Sequence, residues 1–161
     1  MIHSVQDRLG WRLNPAEYEA IRALWIAHSK AEDARDLAGL LATLTADCVY
    51  ELVPTGRRWE GHEGARQFYT GLLSAFPDAR FSLQDIVIGP QGVFEATLLE
   101  GTHRGTWEGV PPTGRPIRLL VLIYFPWDPQ ARLFAGERIY YDRAALAEQL
   151  EGRTGITGAP V

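Results

Sequence analysis

Glu137, Ile139 and Tyr141 alternate along a run of strand character, so by the two-residue period their side chains share one face. If Ile139 points into an apolar interior, Glu137 points there too. Burial disfavours the charged carboxylate and raises its pKa toward that of a useful base or acid. A Glu137 paired with Arg118 or Arg138 would instead only tie strands together. His103 closes another strand between Gly101 and Gly105, where glycines allow a bulge or close backbone approach that could aim the imidazole inward. A neutral imidazole donates or accepts near pH 7 and suits proton transfer to an enolate oxygen. The alternative is a histidine that only stabilises its turn. Glu137 as base and His103 as donor are the candidate catalytic pair.

Secondary contacts are expected around that pair. His28 continues the helical stripe Ile21, Leu24, Trp25, where a satisfied core histidine is the commoner outcome. Tyr50 and Glu51 are adjacent on a strand, so only one of them can face a pocket. Trp59, Trp107, Trp127, Tyr124 and Tyr141 could wall a flat ligand. His62 stands at a helix start, where a surface role is expected, and His3 lies in a tail. The four histidines lack metal-ligand spacing, no glycine-rich phosphate loop joins a strand to a helix, and there is no nucleophile elbow. No cofactor and no metal are expected.

These groups need elements to hold them. Asn14-Pro15-Ala16-Glu17 supplies a cap, a proline at the first helical position and a glutamate three residues after the cap, which starts a helix at Pro15. Leu37, Leu40, Leu41 and Leu44 are spaced as one buried face of a second helix, and a third runs from about Gly64 to Phe76 through Phe68, Tyr69 and Leu72. Between them, residues 47–53 read as a strand ended by Pro54-Thr55-Gly56. After Pro77 come four strands, over 80–88, 93–103, 115–127 and 133–141, and then a short helix over 143–150. Helices first and a meander afterwards mean α+β, with helices on one face of a bent antiparallel sheet. Ile21, Trp25, Phe68, Leu72, Leu122 and Ile139 are the expected buried set. The run from Leu119 to Phe125 is apolar on both faces, so both must be covered. Helices or a pocket can cover one side and a second copy of the chain the other, which predicts a homodimer.

At 161 residues the chain is one domain in size and can bury roughly two-thirds of its unfolded surface. The expected division is an N-terminal arm over 1–13, the domain over 14–151 and a loose tail over 152–161. Apolar residues make up 46% of the chain and aromatics 11%, which excludes general disorder. A net charge of −4 with a single lysine, Lys30, argues against a nucleic-acid or anionic-membrane partner. Cys48 is the one cysteine, so no internal disulfide forms, and with no signal-like or membrane-spanning apolar run the expected compartment is the cytoplasm.

Three segments carry a resemblance. Gly101-Thr102-His103-Arg104-Gly105 followed by Gly109-Val110-Pro111-Pro112-Thr113-Gly114-Arg115, the turn Trp59-Glu60-Gly61-His62-Glu63-Gly64 leading into Phe68-Tyr69, and Glu137 to Asp142 leading to Leu146 and Gln149-Leu150 are together similar to the SnoaL-like polyketide cyclases of the NTF2-like superfamily. The resemblance covers about residues 15–151. It implies a cone-shaped α+β barrel with an internal cavity, usually dimeric through the outer sheet face, that holds a small hydrophobic carbonyl compound. It implies ring closure by intramolecular aldol chemistry or isomerisation, and the expected substrate contacts are His28, Tyr50, Glu51, Trp59, Arg118, Tyr124 and Tyr141. The family's catalytic His and Asp fall at Ile123 and Ile139, neither of which can move a proton. A noncatalytic binding module of the same fold is the alternative.

Overall fold

The computed structural model describes residues 4–153; His3 and the part of the expected tail beyond 153 lie outside them. The elements are α1 (Val5–Leu9), α2 (Pro15–Asp33), α3 (Leu37–Leu41), β1 (Leu44–Leu52), β2 (Arg57–Glu60), α4 (Gly61–Ala75), β3 (Arg80–Gly89), β4 (Gly92–Thr102), β5 (Pro116–Asp128), β6 (Leu133–Tyr141) and α5 (Arg143–Glu151). Asn14 caps α2 as its sequence requires, accepting from the Glu17 N–H at 2.8 Å. Ser4 and Asp7 form a capping box for α1, a start signal inside the segment expected to be an arm.

Leu44 belongs to β1 and not to the second helix. The Thr43 hydroxyl donates to Leu40 O at 2.6 Å, satisfying a carbonyl at the end of α3, and Phe134 N–H donates to Thr43 O at 3.0 Å. The chain has therefore entered the sheet by residue 43. The helix expected from about Gly64 begins three residues sooner. The four residues of β2 are nearly all exposed and carry no alternation, so they read as turn in the sequence although they pair with β1.

One six-stranded sheet runs in the order β2-β1-β6-β5-β4-β3. All neighbours are antiparallel except β1 and β6, which are parallel. The expectation of an antiparallel sheet thus holds for the meander, while β1, arriving from α3, lies alongside the last strand. Register shifts in β1–β6, β3–β4 and β5–β6 bend the sheet. Along β5 burial alternates: Ile117, Leu119, Val121, Ile123, Phe125 and Trp127 are buried, whereas Leu120 and Leu122 are 55% and 42% exposed. Leu122 is therefore a correction to the expected core, because it stands opposite Tyr140 and Ala96 on the face away from the helices. Ile21, Phe68, Leu72 and Ile139 are buried as expected, and Trp25 packs against them partly buried.

Candidate functional site

The bulge between β5 and β6 aims the central carboxylate. Phe134 pairs with Trp127 and Arg138 with Tyr124, so four steps along β6 match three along β5. The extra residue reverses the side-chain alternation, and Phe134 and Glu137 both point inward. Gly136 absorbs the distortion with φ +114. Glu137, Ile139 and Tyr141 then line one cavity together with Glu32, Leu52, Phe81, Trp107 and further apolar side chains.

Glu137 is 3% exposed and pairs with neither Arg118 nor Arg138, which hold Glu100 and Glu51 instead. Its Oε1 meets His28 Nε2 at 3.0 Å and accepts from the Tyr69 hydroxyl at 2.8 Å. The Tyr50 hydroxyl reaches Tyr69 at 3.5 Å. On the far side of the imidazole, Nδ1 lies 2.7 Å from Thr43 Oγ1. Thr43 has one hydroxyl hydrogen and gives it to Leu40 O, so Nδ1 must carry a hydrogen and donate to Thr43. Nε2 and Oε1 consequently share a single proton. Phe125 and Phe134 stand edge-on around the imidazole, at centroid distances of 5.3 and 6.2 Å. Burial and the charge of Glu137 push the Tyr50 and Tyr69 phenols well above their ordinary range, so both remain protonated donors.

Two other carboxyl groups stand nearby. Glu32, half-buried on the cavity wall, is raised above the usual carboxylate range by desolvation and then by the charge of Glu137. Glu95, on the inner face of β4, accepts from the Trp25 indole N–H at 2.7 Å and is raised by burial to about 7. Because the folded form holds its proton more tightly than the unfolded one, Glu95 makes stability fall as pH rises from about 4.5 to about 7. Glu95→Gln keeps a partner for Trp25 and should flatten that part of the profile in urea unfolding at pH 5 and pH 8. An unchanged slope would show that Glu95 does not titrate there.

The other expected site residues are dispersed. His103 is fully buried but belongs to the turn: its Nδ1 accepts from the Thr113 backbone N–H at 3.3 Å and lies 3.1 Å from Thr113 Oγ1, and burial lowers its pKa. It is not among the cavity-lining residues. Glu51 faces away toward Arg138, leaving Tyr50 as the inward member of that pair. Trp59 packs on Phe68 at 5.2 Å, and Tyr124 stacks on Phe94 at 5.0 Å on the outer face. The Arg118 N–H is held by Gln149 at 2.7 Å, and His62 Nε2 lies 3.2 Å from Leu44 O. Glu32, Tyr69, Thr43 and Glu95 were missed. Two carried a signal: Glu32 follows His28 by four residues on the same helical face, and Glu95 alternates with Val93 and Thr97. Among the described residues no group of three His, Cys, Asp or Glu could hold a metal, and no helix is long and apolar enough to cross a membrane.

An α+β cone of this topology, with an apolar cavity under its helices, is the NTF2-like fold, and solved structures agree. A protein from Jannaschia sp. CCS1 described as a SnoaL-like polyketide cyclase is 19% identical, with TM-score 0.75 over 88% of this chain and 97% of that one. IdmH of Streptomyces antibioticus, described as a polyketide cyclase, is 24% identical, with TM-score 0.66 over 81% of this chain and 98% of that one. TerC, co-crystallised with polyporic acid, is 16% identical, with TM-score 0.66 over 82% and 98%. No curated protein is significantly similar in sequence. The profile of the SnoaL-like polyketide cyclase family matches residues 18–150, and the chain belongs to that family.

Proposed function

We propose that the cavity binds a small hydrophobic carbonyl compound and that Glu137 removes a proton next to the carbonyl, without a cofactor, as the opening step of an intramolecular aldol cyclisation or an isomerisation. The observation that carries this reading is a carboxyl group in an apolar cavity with no Arg or Lys partner, held on Oε1 by His28 and Tyr69. In the cyclisation Glu137 takes the α-proton, the enolate carbon attacks a second carbonyl of the same molecule, and the alkoxide so formed recovers the proton from Glu137. His28 hydrogen-bonds the carboxyl oxygen, and Thr43 holds its ring. His103, the expected donor, serves the turn in this reading. The test is proton exchange on an aromatic methyl ketone, 2-acetylnaphthalene: in D₂O the protein should speed replacement of its methyl hydrogens, followed by NMR.

The rival is a noncatalytic module. It draws on Ile123 and Ile139, which line the cavity at the positions where ring-closing relatives are expected to carry His and Asp. Binding of the ketone with no acceleration of exchange would select it.

The outer face supports a homodimer. Leu120, Leu122, Phe94 and Val87 are 55%, 42%, 43% and 68% exposed on neighbouring strands, with Tyr124 and Tyr140 beside Phe94. A contiguous apolar strip of that kind is rare on a monomer. Light scattering should give twice the chain mass at micromolar concentration, and Leu120→Glu should shift it to monomer. A parent that is already monomeric would end this part of the proposal. A cytoplasmic location accords with a single buried, unpaired Cys48.

A further inference from the structure

Glu32 lies on the cavity wall with Glu137 and makes no ion pair among the described residues. It also lines the adjoining cavity, which reaches Arg35, Asp36 and Leu37, so it stands at the junction between the interior and the helix ends. The charged groups facing it are nearly all acidic: Glu137 from β6, Glu95 from β4 and Asp33 from its own helix. Tyr69 of α4 alone favours its charged form. Arg35, the cation of the adjoining cavity, donates its Nη2 to Ala79 O. Two carboxyl groups in one apolar cavity cannot both be charged without a large cost, and Glu137 is the one with an imidazole beside it. Glu32 is therefore the one that stays a carboxylic acid, and a carboxylic acid is a hydrogen-bond donor.

The remaining polar groups of the wall do not replace it. Tyr69 and Tyr50 already donate to Glu137 and to Tyr69. Tyr141 lies four residues farther along β6 than Glu137, about 13 Å away by the rise of a strand. Glu32 instead shares the Tyr69 hydroxyl as a neighbour with Glu137.

We propose that Glu32 is a catalytic residue of this site, the acid that donates its O–H to the ligand's carbonyl oxygen while Glu137 removes the proton from the adjacent carbon. This rests on the small-molecule reading of the cavity and deepens it: the ligand must present a carbonyl oxygen toward α2. As the C–H electron pair becomes the enolate double bond, the carbonyl π pair moves onto the oxygen held by the Glu32 O–H, where a donor lowers the barrier most.

The carbonyl stretch of bound 2-acetylnaphthalene reports the donor directly, and 2-ethylnaphthalene, which lacks the oxygen, reports whether the cavity is intact. The bound ketone should show a stretch lowered by hydrogen bonding in the parent. In Glu32→Leu the stretch should return to its value in an apolar solvent and exchange should fall about 100-fold, with 2-ethylnaphthalene still bound. Glu32→Gln, which keeps shape and an N–H donor, should retain most of the lowered stretch. The parent should lose the effect at high pH, where Glu32 ionises, and Glu32→Gln should not. A lowered stretch that survives in Glu32→Leu, or a bound ketone with an unperturbed stretch in the parent, overturns the assignment. Glu137→Gln separates the two readings, since a failed base leaves the stretch lowered and abolishes only exchange. A parent that binds neither compound overturns both.

Discussion

Glu137→Gln should bind 2-acetylnaphthalene about as tightly as the parent and exchange its methyl hydrogens about 10²–10⁴-fold more slowly, the usual contribution of a positioned base. The substitution keeps the volume of the side chain, and the carboxamide oxygen can still accept from Tyr69, so the network around Oε1 survives while the basicity goes. Its consequence for rate is separable from binding because the ring of the ketone would rest on apolar walls, Leu52, Ile123 and Ile139 among them, and not on Glu137. Exchange and affinity measured on one sample by NMR decide the matter. Equal exchange rates in variant and parent would rule out Glu137 as the base, and loss of affinity with no exchange in either protein would leave a binding module.

Gly136→Ala should be among the most damaging single methyl groups in the sheet. At Gly136 a Cβ would lie 2.0 Å from Val49 O and 2.6 Å from its carbonyl carbon, and φ is +114. Both partners are backbone of the parallel β1–β6 pair, so neither can rotate aside. Strain of this kind costs roughly 3 kcal/mol or more, which for a chain of this size lowers Tm by on the order of 10 °C. The effect on chemistry should be larger still, because this bulge is what turns Glu137 inward, and the exchange rate should fall in the part that stays folded. Gly71→Ala in α4 is the control: its added methyl meets nothing within 4 Å, and a helix interior favours alanine by about 1 kcal/mol. A Gly136→Ala protein that melts with the parent and exchanges at the same rate would mean that the bulge does not set the direction of Glu137.

Local periodicity determined a great deal. The cap at Asn14, the continuous apolar run of β5 and the turn glycines each act within a few residues, so the order of helices and strands was legible, and β6 falls on the span its alternation implied. The inward face of Glu137 followed from the same two-residue rule, counted back from Ile139 and Tyr141, because the bulge lies before all three. A count begun at Phe134 would have turned Glu137 outward. No local pattern announces the extra residue there, since it arises where β6 must pair with β5 on one side and with β1 on the other.

What the sequence could not reveal was which groups meet. His28 and Glu137 are 109 residues apart, and no spacing rule connects a helical stripe to a strand that pairs with β1 in parallel. Thr43 fell near the end of the expected second helix and became the group that fixes the proton on Nδ1, because the sheet takes over the chain at that residue. His103 had suggestive glycine neighbours, yet Gly105 serves a close approach to Ser74 and Ala75, and the imidazole is held by Thr113. Composition and periodicity thus determined an apolar shell with acidic and imidazole groups on inward faces. Tertiary structure alone decided that Glu137 has the imidazole beside it and Glu32 does not, because burial and mutual repulsion act through space between residues that are remote along the chain.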